Sequence, residues 1–293
     1  MTELVTRALA QLSAPLGLPG SGRLRYASAM TLYQHGRLSA DALEVYRICS
    51  PRDGEDPVKL LKMRGLGREI LTPVPASAET AIRTFVEEAD RYLSALPGPG
   101  IAEVRAGISA VRDVPVVERP SMQNAVQTSL MPVALGVLGE THPALANAIA
   151  AVVPHLEWIT YDSYPVDLIG RDFPKSHAFA SVIGVDAPIF VPDFDFGLFL
   201  ISPHVLYRDH KHKAPELYAP LTGPHGWRFG PDLPLVIKPA HEPVWNDPFV
   251  PHMTKVGPVP FLSLFCWTRD ASEIADVVPA SDWAALEVMR LDA

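Results

Sequence analysis

The stretch Tyr207-Arg208-Asp209-His210-Lys211-His212-Lys213-Ala214-Pro215-Glu216-Leu217-Tyr218, with Gly223 shortly after it, decides how the rest of the chain is read. In an extended strand, residues two apart project from one face, so His210 and His212 point together, as do Glu216 and Tyr218 beyond a turn at Pro215. Two imidazoles and a carboxylate can then converge. That donor set suits one divalent transition metal, whether Zn, Fe, Mn, Ni or Co, and differs from the all-oxygen cage of calcium and the thiolates of structural zinc. The plain alternative is a solvated strand pair, since Arg208, Asp209, Lys211 and Lys213 alternate with the candidate ligands. Tyr207 is odd-numbered where the two histidines are even, so a regular strand turns it away; a bulge or bend after Pro203 is needed to bring it in.

Around this stretch the texture is that of short strands. Phe196 to Ile201, Glu216 to Thr222, Gly226 to Phe229, Leu235 to Lys238, Pro243 to Trp245 and Phe261 to Thr268 are β-prone runs between turn signals, which predicts an antiparallel sandwich or barrel. Pro188, Pro192, Pro215, Pro220, Pro231, Pro234 and Pro239 belong at strand edges and turns, because proline has no N–H to give to a ladder. Six of the ten histidines fall between His204 and His252. Of these, His252 is the candidate third imidazole and His241 its competitor, while His204 and His225 read as structural. Upstream, Thr2 to Ser13, Ser39 to Cys49, Pro57 to Leu66, Ser77 to Leu96 and Thr141 to Val153 have helical spacing. In the clearest of them, Ile82, Phe85, Val86, Ala89, Tyr92, Leu93 and Leu96 share one stripe, ended by Pro97-Gly98-Pro99-Gly100.

Composition removes several classes of function. The 293 residues carry a net charge of −8, and the longest basic cluster is the short Arg208 to Lys213, so a surface that tracks nucleic-acid phosphates is not expected. No apolar run reaches the roughly 18 residues of a membrane span. Glu3 and Arg7 precede any apolar block, and Pro15 and Pro19 break the segment after them, so a cytoplasmic location is expected. The two cysteines, Cys49 and Cys266, sit in apolar runs and read as buried free thiols. GxGxxG, P-loop and GxSxG motifs are all missing.

His210-x-His212-x3-Glu216-x6-Gly223 resembles the first metal-binding motif of the cupin superfamily. The likeness implies an all-β cupin barrel, an antiparallel double-stranded β-helix or jelly roll, over residues 156–293, preceded by a helical N-terminal region, 1–155. It also implies one divalent metal held by His210, His212, Glu216 and His252. The second cupin motif departs from pattern at Phe249 and Val256, and His204 stands where the first motif has an upstream glycine. Tyr207 and Tyr218 around the metal motif, His252-Met253-Thr254, and the segment His155-Leu156-Glu157-Trp158 are similar to the cupin-type lyases that cleave dimethylsulfoniopropionate (DMSP). Similarity extends over roughly residues 140 to 270.

This second resemblance implies a carbon–sulfur lyase acting on a small carboxylate substrate by β-elimination, giving dimethyl sulfide and acrylate. Tyr218, or failing that Tyr207, takes the proton next to the carboxylate, and the metal acts as Lewis acid. Trp227, Trp245 and Trp267 are candidate walls for the cationic leaving group, each worth about 0.5 to 2 kcal/mol through its ring face. Two alternatives use the same ligands: a dioxygenase with iron, or a cupin that binds a small acid without turning it over. A homodimer is left open.

Overall fold

The structure is a computed structural model that describes residues 3–71, 77–161, 164–231 and 233–292. Thr2, the expected start of the first helix, lies outside the described residues. The chain divides into two compact units, 1–85 with 135–152, and 86–134 with 153–293.

In the first unit, α1 (Glu3–Gln11), α2 (Ser21–Gln34), α3 (Ala40–Cys49) and α4 (Pro57–Met63) close on a core that includes Leu9, Leu32, Val45 and Leu61. The helix starts follow capping chemistry. The Ser39 side chain accepts from Ala42 N–H ahead of α3, and Asp56 accepts from Val58 N–H ahead of α4, which opens on Pro57. Helices α5 (Ala78–Ser94), α6 (Ile101–Ala110), α7 (Ala125–Thr141) and α8 (Pro143–Val152) complete the helical part before the sheets, and no helix of the described residues is long and apolar enough to cross a membrane.

After the short α9 (Val166–Ile169), the second unit holds β1 (His177–Gly184), β2 (Ile189–Phe190), β3 (Asp195–Ile201), β4 (Leu206–Lys211), β5 (Glu216–Pro220), β6 (His225–Arg228), β7 (Val236–Lys238), β8 (Val244–Asn246), β9 (His252–Lys255), β10 (Phe261–Trp267) and β11 (Asp276–Val277), then α10 (Trp283–Val288). The strands form a six-stranded sheet in the order β2-β1-β3-β10-β5-β8 and a five-stranded sheet in the order β11-β4-β9-β6-β7.

The expected closed jelly-roll barrel is not formed: these are two open sheets, and among the described strands no ladder joins an edge of one to an edge of the other. One pair, β1 with β2, is parallel. The edge strands explain the openness. All four are only two or three residues long, and three of them are bracketed by proline: β2 by Pro188 and Pro192, β7 by Pro234 and Pro239, β8 by Pro243 and Pro248. A residue without an N–H cannot extend a ladder, so pairing stops there.

Register decides which side chains enter the core between the sheets. Phe199, Tyr218, Phe261 and Phe265 of the first sheet meet Tyr207 and Trp227 of the second in one cluster. Their neighbours in sequence, among them Leu198, Leu217 and Leu264, point the other way and are buried as well. Both faces of the central strands are therefore covered, which is why these strands read as continuous apolar runs instead of alternating ones.

Candidate metal centre

Three strands supply the centre. On β4, Tyr207 pairs with Thr254 of β9 and His210 pairs with His252, so three steps on one strand match two on the other. That one-residue bulge is the device that parity required. It places Tyr207 and His210 on the same side, with rings stacked at 3.9 Å between centroids. His212, one residue past the end of β4, completes a group in which single ring nitrogens of His210, His212 and His252 lie within 4.8 Å of one another, all buried. His241, the competing candidate, lies beside Tyr92, whose hydroxyl is 3.0 Å from its Nδ1.

Each imidazole is oriented from behind. Nδ1–H of His210 donates to Arg208 C=O at 2.8 Å, that of His212 to Ala214 C=O at 2.7 Å, and that of His252 to Val250 C=O at 3.0 Å. With Nδ1 held from behind, each ring turns its Nε2 inward, the arrangement metal-ligating histidines use. Glu216 of β5 brings Oε2 to 3.3 Å from His212 Nε2 and 3.2 Å from His252 Nε2. His252 Nε2 is buried without a properly aligned hydrogen-bond partner among the described residues. Burial, and after it the neighbouring His252 and His212, hold the His210 imidazole well below its ordinary value, so it stays neutral. Burial alone raises the Glu216 carboxyl, but His212 and His252 outweigh it and hold the group well below the usual range. Three convergent imidazole nitrogens beside an ionised carboxylate fit a divalent cation. The three-histidine cluster is capable of coordinating one.

Two residues position Glu216. Trp267 donates Nε1–H to Oε1 at 2.7 Å, and Asn246, opposite Glu216 on β8, donates to Oε2 at 2.9 Å. Asn246 carried no motif signal; only the β5–β8 register reveals it. The three tryptophans named from sequence separate. Trp267 lines the cavity at the centre and stacks near His212, with ring centroids 4.5 Å apart. Trp227 is wholly buried among Tyr218 and Phe261, outside the cavity lining. Trp245 sits on the opposite face of β8 to Asn246 and packs against Gly100 at the start of α6.

That cavity, of about 270 Å³, has His210, Glu216, Tyr207, Tyr218 and Trp267 in its wall and Phe173, Phe179, Phe199 and Phe265 around them. Both candidate bases therefore face it. Burial, then the Glu216 carboxylate, pushes the Tyr218 phenol well above its usual value. Burial, then Tyr164 and Tyr218, does the same to Tyr207. Tyr164, which the motif reading passed over, lines the same cavity and hydrogen-bonds Tyr207 through their hydroxyls at 2.7 Å. Its signal in the sequence is faint: two tyrosines, Tyr161 and Tyr164, just downstream of His155-Leu156-Glu157-Trp158. His225 is structural in placement, accepting from Gly257 N–H at 3.1 Å through Nδ1. His204 lies in a left-handed turn, with φ of 65°, outside the cluster.

Two facing sheets with a three-histidine cluster and a nearby carboxylate define a metal-binding protein of the cupin superfamily. The sequence profile described as "Dimethlysulfonioproprionate lyase" matches residues 108–263, more than half of the chain, and the chain belongs to that family. No curated protein matches it. Among solved structures it is similar to one reported under "Crystal structures of DMSP lyases RdDddP and RnDddQII", with 20% identity and a TM-score of 0.52 over 69% of this chain and 100% of that one. It is also similar to the DMSP lyase DddQ from Ruegeria pomeroyi DSS-3, with 20% identity and a TM-score of 0.51 over 68% of this chain and 96% of that one. At such identities the likeness speaks for the fold.

Proposed function

We propose that this protein is a metal-dependent carbon–sulfur lyase that eliminates dimethyl sulfide from DMSP or a close relative, leaving acrylate. The observation that carries the reading is that both tyrosines, Glu216 and His210 of the three-histidine cluster line one aromatic-walled cavity. His210, His212, His252 and Glu216 would hold the ion. When bound, it supplies a Lewis acid for the substrate carboxylate and a positive charge that offsets the cost of ionising a phenol.

The residues of the chain do the rest. Tyr218 shares its face of β5 with Glu216 and its hydroxyl meets that carboxylate, which makes it the first candidate for the base. It takes the proton from the carbon next to the carboxylate; the C–H electron pair becomes the new double bond, and the carbon–sulfur bond breaks with its pair leaving on sulfur. Dimethyl sulfide departs neutral. Tyr207, held by Tyr164, orients the substrate from the opposite sheet and is the second candidate for the base. The aromatic walls exclude water from the developing carbanion.

The test is metal-loaded protein incubated with DMSP under nitrogen, with headspace dimethyl sulfide and dissolved acrylate measured together. Equal yields of both, lost with chelator and with Tyr218→Phe, support the lyase. Turnover that strictly requires oxygen overturns it in favour of a dioxygenase, and stoichiometric metal without turnover leaves a binding protein.

A further inference from the structure

Asp195 is the first residue of β3 and lines the cavity of the metal centre. Along the six-stranded sheet Glu216, Trp267 and Asp195 form one row of directly paired residues, so their side chains project on the same side. Two strand spacings separate the carboxylates' backbones by about 10 Å. Glu216 therefore stands at the metal end of the row and Asp195 at the far end, with Trp267 between them in the row and its indole turned to Glu216 and His212.

The two carboxylates differ in what they meet. Glu216 is held by Trp267, Asn246 and the histidines, whereas Asp195 has Ser181 as a partner and its Oδ1 is buried with no hydrogen bond among the described residues. Room for that oxygen is made by Gly184 of β1: a Cβ there would lie 3.1 Å from it. Among the described residues, no lysine or arginine lines the cavity to neutralise it. Burial raises its carboxyl to about 6, which leaves it mostly ionised at neutral pH and short of a counter-charge.

We propose that Asp195 receives the positively charged end of the ligand, making it the residue that restricts this cavity to short zwitterions whose carboxylate sits at the metal end and whose onium group sits beyond Trp267. The inference rests on the lyase reading for the identity of the reacting substrate, although charge selection at Asp195 can be measured without turnover. Aromatic faces of Trp267, Phe179 and Phe265 surround the same end and favour an onium over an ammonium that needs hydrogen-bond acceptors on all sides.

The experiment is calorimetric titration of zinc-loaded protein with 3-(trimethylammonio)propionate and with its carbon isostere 4,4-dimethylpentanoate, which share shape and carboxylate and differ only in having a cationic or a neutral tail. The wild type is expected to prefer the cationic-tailed ligand by about tenfold or more. Asp195→Asn, which keeps the size of the side chain, is expected to bind both about equally, with affinity for the neutral-tailed ligand unchanged. Retention of the full preference in Asp195→Asn, or equal binding of both ligands by the wild type, overturns the proposal while leaving the lyase reading intact. Preference for the cation without any sulfide release keeps the Asp195 assignment and removes the lyase; failure of zinc-loaded wild type to bind either ligand removes both. Should Asp195→Asn fold poorly, Gly184→Ala crowds Oδ1 and is read in the same comparison. With DMSP as substrate, Asp195→Asn raises KM about tenfold and leaves kcat undiminished, because the sulfur loses its charge as it leaves and the contact favours the ground state. A merely structural role would lower kcat and both affinities together.

Discussion

Glu216, proposed above as the fourth ligand, illustrates how much of a site lies behind the residues that face it. Its carboxylate is oriented by the indole N–H of Trp267 and the amide of Asn246, both at good hydrogen-bond distance. Replacing Trp267 by Phe keeps a ring against His212 and removes that donor. Metal affinity should then fall roughly 10- to 100-fold, the usual effect of losing an outer partner. Competition against a chromophoric chelator measures it, and unchanged affinity would show Glu216 to be held without the indole. Tyr218→Phe acts differently: metal content should stay at the wild-type level while kcat drops roughly 100- to 10,000-fold, the range for a general base. The donor types and the shared face of Glu216 and Tyr218 were readable from residue spacing, since parity along β5 places position 218 with 216. Asn246 and Tyr164 were not, because each reaches the site through a pairing distant in sequence.

At the scale of elements, the bulge in β4 is the feature that builds the centre. Without the extra residue between Tyr207 and His210, one of them would face away from the cavity, and alternation alone pointed Tyr207 outward. Alternation is a property of a regular strand, and a bulge suspends it locally. The helical part supplies a second case at Gly100, which begins α6 with φ of 77°. A Cβ there would lie 2.0 Å from the Trp245 ring. Gly100→Ala therefore meets both left-handed backbone strain and overpacking, and should destabilise the protein by roughly 1–3 kcal/mol. Thermal melting of metal-free protein tests this; a melting temperature equal to wild type would mean that Trp245 moves aside freely.

For the whole molecule, acid stability is set by buried neutral histidines away from the metal cluster. His177 donates through Nδ1 to Phe173 C=O at 2.6 Å and accepts Tyr161 N–H at 2.8 Å through Nε2, so it has no place for a second proton. Burial lowers its pKa from 6.5 to about 4, and that of His225 to about 3. The unfolded chain takes up protons first, so this contribution is complete above about pH 6.5 and is lost as the pH falls towards those folded values. Asp195, raised by burial to about 6, has the opposite sign and offsets part of the loss. Chemical denaturation of metal-free protein between pH 7 and 5 should show stability falling with pH, and His177→Gln should shallow the slope. A flat profile would contradict buried neutral imidazoles.

The residue types, their spacing and the proline punctuation determined the donor chemistry, the short strands and the helical first part, because these depend on side-chain identity and on backbone geometry over a few residues. The expected closed barrel did not survive, since closure depends on whether edge strands distant in sequence find partners, and the prolines beside β2, β7 and β8 cut their ladders short. Only the tertiary structure decided that His252 and not His241 joins the imidazole pair, that Trp267 reaches the cavity while Trp227 and Trp245 do not, and that Asp195 stands in line with Glu216. Each is a matter of register between strands far apart along the chain, where a shift of one residue would reverse every side chain.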